Sequence, residues 1–285
     1  MDIHYDPKTH SMFISQANTI EVLLERAHMS DCNPVPVPCS SGAVFTKKDC
    51  PDPQSTRATE YASLVALANL LACWTRPDIV FIVNKLCKFM SNPGDAHWQM
   101  LKFMIRYLQG TKHKGLSYKF EESADTVNGL HGYSDASHAD CLDTSRSTIA
   151  YVFYYGGAIL SWFSKLHSYV TTCTNHSEYA ALYAAAKEAQ WLVYLFRDLD
   201  PTSTPPIPVY VDNSGVVSLV FNPVDHSSNK HLRIACHYCR ELTKEKVILP
   251  QRIPGELNLA DAFTKPLPGP GFQKVVGKFV AEKLF

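Results

Sequence analysis

Four carboxylates in the second half of the chain stand where they could do chemistry: Asp135 in HGYSDASHAD, Glu178 in HSEYAALYAAAKEAQ, Asp212 in PIPVYVDN and Asp261 in NLADAFTKPL. Singly, each has an ordinary explanation. Asp135 could close a turn, Glu178 could answer the positive end of a helix, and Asp212 with Asn213 could form an Asx turn into the next helix. Brought together, the four would repel and raise one another's pKa, unless a divalent cation sat among them. Hard oxygen donors without His or Cys select Mg²⁺ or Mn²⁺ over zinc. Two such ions about 4 Å apart can activate a water and stabilise the leaving oxygen of a phosphodiester.

The elements that must position these acids are legible from periodicity. GLHGYSDAS, STIAYVFYY, and AILSWFS with SYVTTC read as three strands with a tight hairpin at Gly156-Gly157. HSEYAALYAAAKEAQWLVYLFRDL reads as a long helix, with Tyr179, Leu182, Tyr183, Ala186, Ala189, Val193 and Phe196 on one stripe. Then come a strand, PIPVYVDN; helices SGVVSLVFNP and HLRIACHYCRELTKEK; a strand, VILPQRIP; and a last helical turn, NLADAFTKPL, ended by Pro266. In an open α/β sheet the ends of central strands and the helix start facing them converge on one crevice. All four acids lie at such ends.

The first half has a different character. An alternating start, MDIHYDPKTHSMFIS, reads as a hairpin and IEVLLERAHM as a helix. Ser30 to Gln54 is dense in Pro, Ser and Gly and reads as a surface loop or arm. ATEYASLVALANLLACW, PDIVFIVNKLCKFM with Pro77 as a first helical residue, and DAHWQMLKFMIRYLQG with Gly110 at its C-cap read as helices. The expected division is a mostly helical segment over 1–120, an acidic joint over 121–126, an α/β domain over 127–268 and a tail over 269–285.

Composition sets limits. With 27 basic and 27 acidic residues among 285, no global field draws the chain to nucleic acid or an anionic membrane, so a polyanion must meet a local patch. Nine cysteines, no secretory leader pattern and no apolar run of bilayer length point to an intracellular chain with reduced thiols and no membrane partner.

The order Asp, Glu, Asp, Asp on this strand and helix order resembles the ribonuclease H fold. GYSDASHAD, SRSTIAYVFYYGGAILSWFSKLHSYV, SEYAALYAAAKEAQWL, VYVDNSG, NKHLRIACHY and LADAFTKPLP resemble successive blocks of the RNase H region of copia-type LTR retrotransposon Pol polyproteins. ISQANTIEVLLERAHMSDCNPVPVP, TRPDIVFIVNKLCKFMSNPGDAHW and RYLQGTKHKGLSY resemble the segment that follows the reverse transcriptase palm in those polyproteins. The resemblance implies a mixed five-stranded α/β sheet with flanking helices, preceded by a smaller, mostly helical thumb- or connection-like segment. It implies metal-binding, catalytic acids at Asp135, Glu178, Asp212 and Asp261, two Mg²⁺ or Mn²⁺ ions, and hydrolysis of the RNA strand of an RNA–DNA hybrid. Its palm motif would lie upstream of Met1, so no polymerase activity is expected, and the rest of a reverse transcriptase or Pol is an expected partner. The chain departs from the family's pattern at Ser137 and His138, at His176 and at Arg233, none of which removes a carboxylate. A decayed or domesticated remnant that binds nucleic acid or protein is the competing function class.

Several other features are less specific. Tyr210-Val211-Asp212-Asn213 lacks the second carboxylate of a polymerase Tyr-x-Asp-Asp. Cys236 and Cys239 form a C-x-x-C without a second pair, which favours a reduced structural pair over zinc. His231 falls near the region where RNase H enzymes place an assisting histidine, a solvated helical histidine being the alternative. Lys102, Arg106, Lys112, His113 and Lys114 cluster about one helix, and Lys230, Arg233, Arg240, Lys244 and Lys246 about another. A solvated helix face explains both, while phosphate contacts from the first would suit an element holding a duplex. Hybrid specificity needs groups that feel a 2′-OH, for which Asn213 and Ser137 are loose candidates.

Overall fold

The computed structural model describes residues 1–51, 55–119, 129–155, 157–199, 206–222 and 230–283, with the side chains of 230–233 outside the description. The chain forms two compact units, Met1–Glu121 with Lys265–Phe285, and Glu122–Thr264. The acidic joint expected at 121–126 lies outside the described residues.

In the first unit, β1 (Asp2–Asp6) and β2 (Ser11–Ser15) pair as the expected antiparallel hairpin. Helices α1 (Ala17–Arg26), α2 (Ala58–Trp74), α3 (Val80–Cys87) and α4 (Asp95–Gly110) follow. Pro77 opens a 3₁₀ turn, Pro77–Ile79, ahead of α3. A strand the periodicity did not give, β3 (Leu116–Lys119), pairs with β2 and completes a three-stranded sheet. Gly110 is the last residue of α4 and Thr111 its cap. The glycine is needed for space, since a Cβ there would lie 2.7 Å from Pro34 Cβ.

That contact belongs to the Ser30 to Gln54 segment, which as far as it is described is the expected loop; the alternative of an arm is corrected, because Val35, Val37 and Phe45 pack on the core and Cys39 is buried in it. Arg106 Nε donates to Asn33 O at 2.7 Å and Gln109 Nε2 to Ser30 O at 2.8 Å, so α4 holds the loop by its backbone. Apolar residues alternating with prolines gave the loop something to bury.

Arg76 and Asp78 form an ion pair at 2.7 Å with both side chains fully buried. Tyr107 donates to the same carboxylate at 2.6 Å, and Arg76 donates to Thr111 O and Oγ1 at 3.0 and 2.7 Å. Such a pair is tolerable in a dry core only because these hydrogen bonds satisfy it on both sides.

In the second unit, β4 (His131–Ser137), β5 (Thr148–Tyr155) and β6 (Ala158–Leu166) form an antiparallel meander. Ser168–Cys173, expected to extend the third strand, is irregular and leads into α5 (Thr174–Leu199). After α5 come β7 (Ile207–Val211), α6 (Ser214–Phe221), α7 (Lys230–Lys244) and β8 (Ile248–Arg252). The sheet order is β6-β5-β4-β7-β8, with β7 parallel to both β4 and β8. This is the mixed five-stranded sheet with flanking helices that the resemblance implied. Ala185, Ala186 and Ala189 of α5 are fully buried, and these small side chains let the helix lie close upon the sheet. Tyr183 and Phe196, expected on that stripe, sit half-buried at its margin.

The reading of 269–285 as a tail is also corrected. Helix α8 (Gly269–Val276) buries Phe272 and Val276, with Val280 beyond it, in the core of the first unit, and Gly115 and Ala281 exchange backbone hydrogen bonds at 2.9 Å. Apolar residues four apart drive that docking.

Two outcomes follow from these packing arrangements. Asp78→Ala, which strands the buried Arg76 charge, should cost about 3–5 kcal/mol in denaturant unfolding, and Arg76→Met/Asp78→Leu should recover most of it. On β4, burial lowers the pKa of His131 below 6.5, against a smaller opposing effect of its hydrogen bond to Gly129 O. The neutral ring's contribution is therefore complete above pH 6.5 and drains away as the pH falls from there through the lowered folded value. His131→Phe should flatten the acid limb of a stability–pH curve.

Candidate metal centre

Chain order builds the site. β5 and β6 are laid on one side of β4; α5 then crosses over and β7 and β8 are laid on the other. The C-terminal ends of β4 and β7 thus meet at the switch point where open α/β sheets place their sites. The parallel register pairs Tyr133 with Tyr210. Two residues further along both strands stand Asp135 and Asp212. Glu178 reaches the same place from the start of α5, which packs across β4. Ligand oxygens of Asp135, Glu178 and Asp212 all lie within 4.8 Å of one another. Asp135 and Glu178 are 2 % and 6 % exposed and Asp212 is half-buried, so their repulsion is poorly screened by water.

Residues that sequence reasoning passed over hold this arrangement. Thr264 Oγ1 donates to Asp135 Oδ2 and lies 3.2 Å from Asp261 O. Asn258 caps the 3₁₀ turn Leu259–Phe263 by accepting from Ala260 N at 3.1 Å, and its Nδ2 donates to Ser134 O at 3.0 Å. Ser164 Oγ donates to Phe263 O at 2.6 Å. The turn carrying Asp261 is thereby stitched to β4 and β6. Gly255 packs against Asp212, where an added Cβ would come within 3.3 Å of Oδ2. An Asn three residues before Asp261 and a Thr three after it were the available signal, since such residues cap turns.

Of the four acids expected to converge, three are brought together. Asp261 lies in the stitched turn, half-buried, but is not among the acids whose oxygens are grouped within 4.8 Å. Its backbone comes within one hydroxyl of Asp135 while its side chain starts from a separate turn. Asn213, a candidate for nucleic-acid contact, N-caps α6: its Oδ1 accepts from Gly215 N and Val216 N, and its Nδ2 donates to Asn175 Oδ1 at 2.8 Å. Both ends of its amide are engaged within the protein. The strand-to-helix passage at Val211–Ser214 also separates this Tyr-Val-Asp-Asn from a polymerase hairpin.

Of the first basic group, Lys102 is exposed, Arg106 is engaged with the loop at Asn33, Lys112 lies 3.6 Å from Glu21 and Lys114 is half-buried. In the second, Arg240 donates to Leu219 O at 2.9 and 2.7 Å, closing the end of α6. The side chains of Lys230 and His231 lie outside the description. Cys236 and Cys239 are buried in the helix–sheet core, and burial pushes both thiols up, Cys239 to about 12. They stay protonated at neutral pH, as a structural pair does.

The donor set suits a hard divalent cation: three carboxylates, no imidazole or thiolate, and like charges that gain from a shared counter-ion.

No family model matches the chain. It is 34% identical over 270 residues to the retrovirus-related Pol polyprotein from transposon RE1 of Arabidopsis thaliana, covering 94% of this chain and 18% of that one. It is 31% identical over 277 residues to the corresponding polyprotein from transposon TNT 1-94 of Nicotiana tabacum, covering 96% and 20%. Among solved structures, RNase H1 from Halobacterium salinarum overlaps 47% of this chain and 92% of its own, at 22% identity and a TM-score of 0.35. The chain belongs to the copia-type retrotransposon Pol family, and spans about a fifth of the length of the polyproteins it matches.

A carboxylate cluster that binds a cation only when folded is stabilised by it, by about 2.7 kcal/mol at a hundredfold excess over Kd. Millimolar Mg²⁺ or Mn²⁺ should raise the melting temperature. Asp135→Asn should melt no lower than the parent in chelator, having lost a buried repulsion, and should respond less to either ion.

Proposed function

We propose that the second unit is the ribonuclease H of a copia-type Pol, cutting the RNA strand of an RNA–DNA hybrid endonucleolytically to leave a 3′-hydroxyl and a 5′-phosphate. The observation that carries this reading is the convergence of Asp135, Glu178 and Asp212 at the β4–β7 switch point. Descent from Pol polyproteins supports it.

Asp135, Glu178 and Asp212 would hold the divalent ions, with Asp261 as the fourth acid, approaching from the turn that Thr264 and Asn258 fix. Such a pair of ions supplies a water of lowered pKa and offsets charge on the leaving oxygen. The chain's own part is orientation. The Thr264 hydroxyl sets the carboxylate plane of Asp135, the Asn258 amide fixes the strand beneath it, and the Asn213–Asn175 bond ties the start of α6 to the start of α5. His231 is proposed as an assisting group, and the remainder of a reverse transcriptase as the partner that delivers the hybrid inside the cell.

Purified protein should cleave a labelled RNA–DNA hybrid with Mg²⁺ or Mn²⁺ and not in chelator. Asp135→Asn should fall to background while keeping its circular dichroism spectrum. Equal cleavage by both proteins would sink the assignment, and a folded parent without cleavage or metal response would point to a remnant.

A further inference from the structure

Unused by the reading above is a cleft of about 480 Å³ between the end of β6, the loop after it, the first turns of α5 and residues 234–235 of α7. Its walls include the rings of Phe163, Tyr169, His176 and Tyr183, and Lys165 and Lys187 stand exposed at its edge. Among the described residues no Asp or Glu lines it. Tyr169 is 42% exposed, with its ring centroid 5.8 Å from that of His176. Lys187 Nζ lies 4.8 Å above the Tyr183 ring. His176 and Tyr179, both lining residues, bracket Glu178 in sequence, so one turn of α5 carries both a wall of the cleft and one of the acids.

Two lysines around several rings is a specific combination. An acidic peptide would use the lysines and leave the rings idle, and an apolar ligand would do the reverse. A nucleotide uses both, its base against the rings and its phosphates on the ammonium groups. A paired base within a duplex has its faces covered by its neighbours, so the base must be unpaired.

We propose that this cleft binds an unpaired nucleotide of single-stranded nucleic acid, its base stacked on Tyr169 and its flanking phosphates on Lys165 and Lys187. The site rests on the ribonuclease reading only in that its natural occupant would be the single strand running out of the hybrid beside the acids. It gives a hybrid with a single-stranded extension a foothold that a blunt one lacks.

The test uses the full chain in chelator, with a short labelled oligothymidylate followed by fluorescence anisotropy across a salt series. The parent should bind, Lys165→Glu/Lys187→Glu should bind about tenfold or more weaker with a shallower salt dependence, and Tyr169→Ala should weaken at least about fivefold with the slope unchanged. With metal, cleavage of a blunt hybrid should be the same in all three proteins. The site is overturned by a parent that does not bind, by variants that bind as the parent does, or by a Glu-rich peptide that binds the parent and Tyr169→Ala equally while displacing the oligonucleotide. Oligonucleotide binding without hybrid cleavage would fail the ribonuclease reading and leave the cleft standing.

Discussion

The second unit depends on the parallel pairing of β4 with β7. That pairing sets Asp135 beside Asp212 where the sheet changes direction, and α5, which must cross between the two strands, brings Glu178 to the same point. Three like charges are thus forced together by the hydrogen bonds of the fold. The backbone pairing and the burial of Val209, Val211 and the alanines of α5 supply the driving force, and the acids oppose it. A protein keeps such an arrangement where the opposed charges are put to use, because a neutral side chain at any of the three positions would relieve the strain.

The surrounding residues make the acid positions definite. Asn258 and Thr264 tie the turn of Asp261 to β4, Ser164 ties it to β6, and Asn213 joins the start of α6 to Asn175 at the start of α5. Each link uses a short side chain with few rotamers, which loses little entropy when fixed and holds its partner closely. Buried carboxylates need such outer contacts, since their mutual repulsion would otherwise turn them apart.

Much of the second unit was legible because its signals are local. Alternation marks β4, β5, β7 and β8, and a 3.6-residue stripe marks α5. The ends of those elements then pointed to Asp135, Glu178 and Asp212. What escaped depended on contacts between distant segments. β3 is four residues that become a strand through β2, and α8 becomes a core helix through residues nearly two hundred positions upstream. Asn213 could be read both as a loose candidate for a nucleic-acid contact and as an Asx turn into the next helix; the start of α6 shows the second, and the bond to Asn175 came from a distant segment. Asp261 was placed with the other acids by order along the chain, and only the contacts of Thr264 and Asn258 with β4 show how its turn is held there.

Of the departures from the family's pattern, Ser137, His138, His176 and Arg233, the two histidines have partners around the start of α5. His138 Nδ1 lies 3.2 Å from Thr171 Oγ1 and 3.5 Å from Ser177 Oγ, one residue before Glu178. Thr171 in turn lies 2.7 Å from Ser147 Oγ, which accepts from Ala139 N at 3.0 Å, and His176 meets Thr172 at 3.4 Å. Thr171, Ser147 and Ser177 are buried, where an unmatched hydroxyl would cost about 1–3 kcal/mol. His138 and His176 thus both sit against hydroxyls around the first turn of α5, so the turn from which Glu178 springs is held by side-chain hydrogen bonds as well as by its backbone.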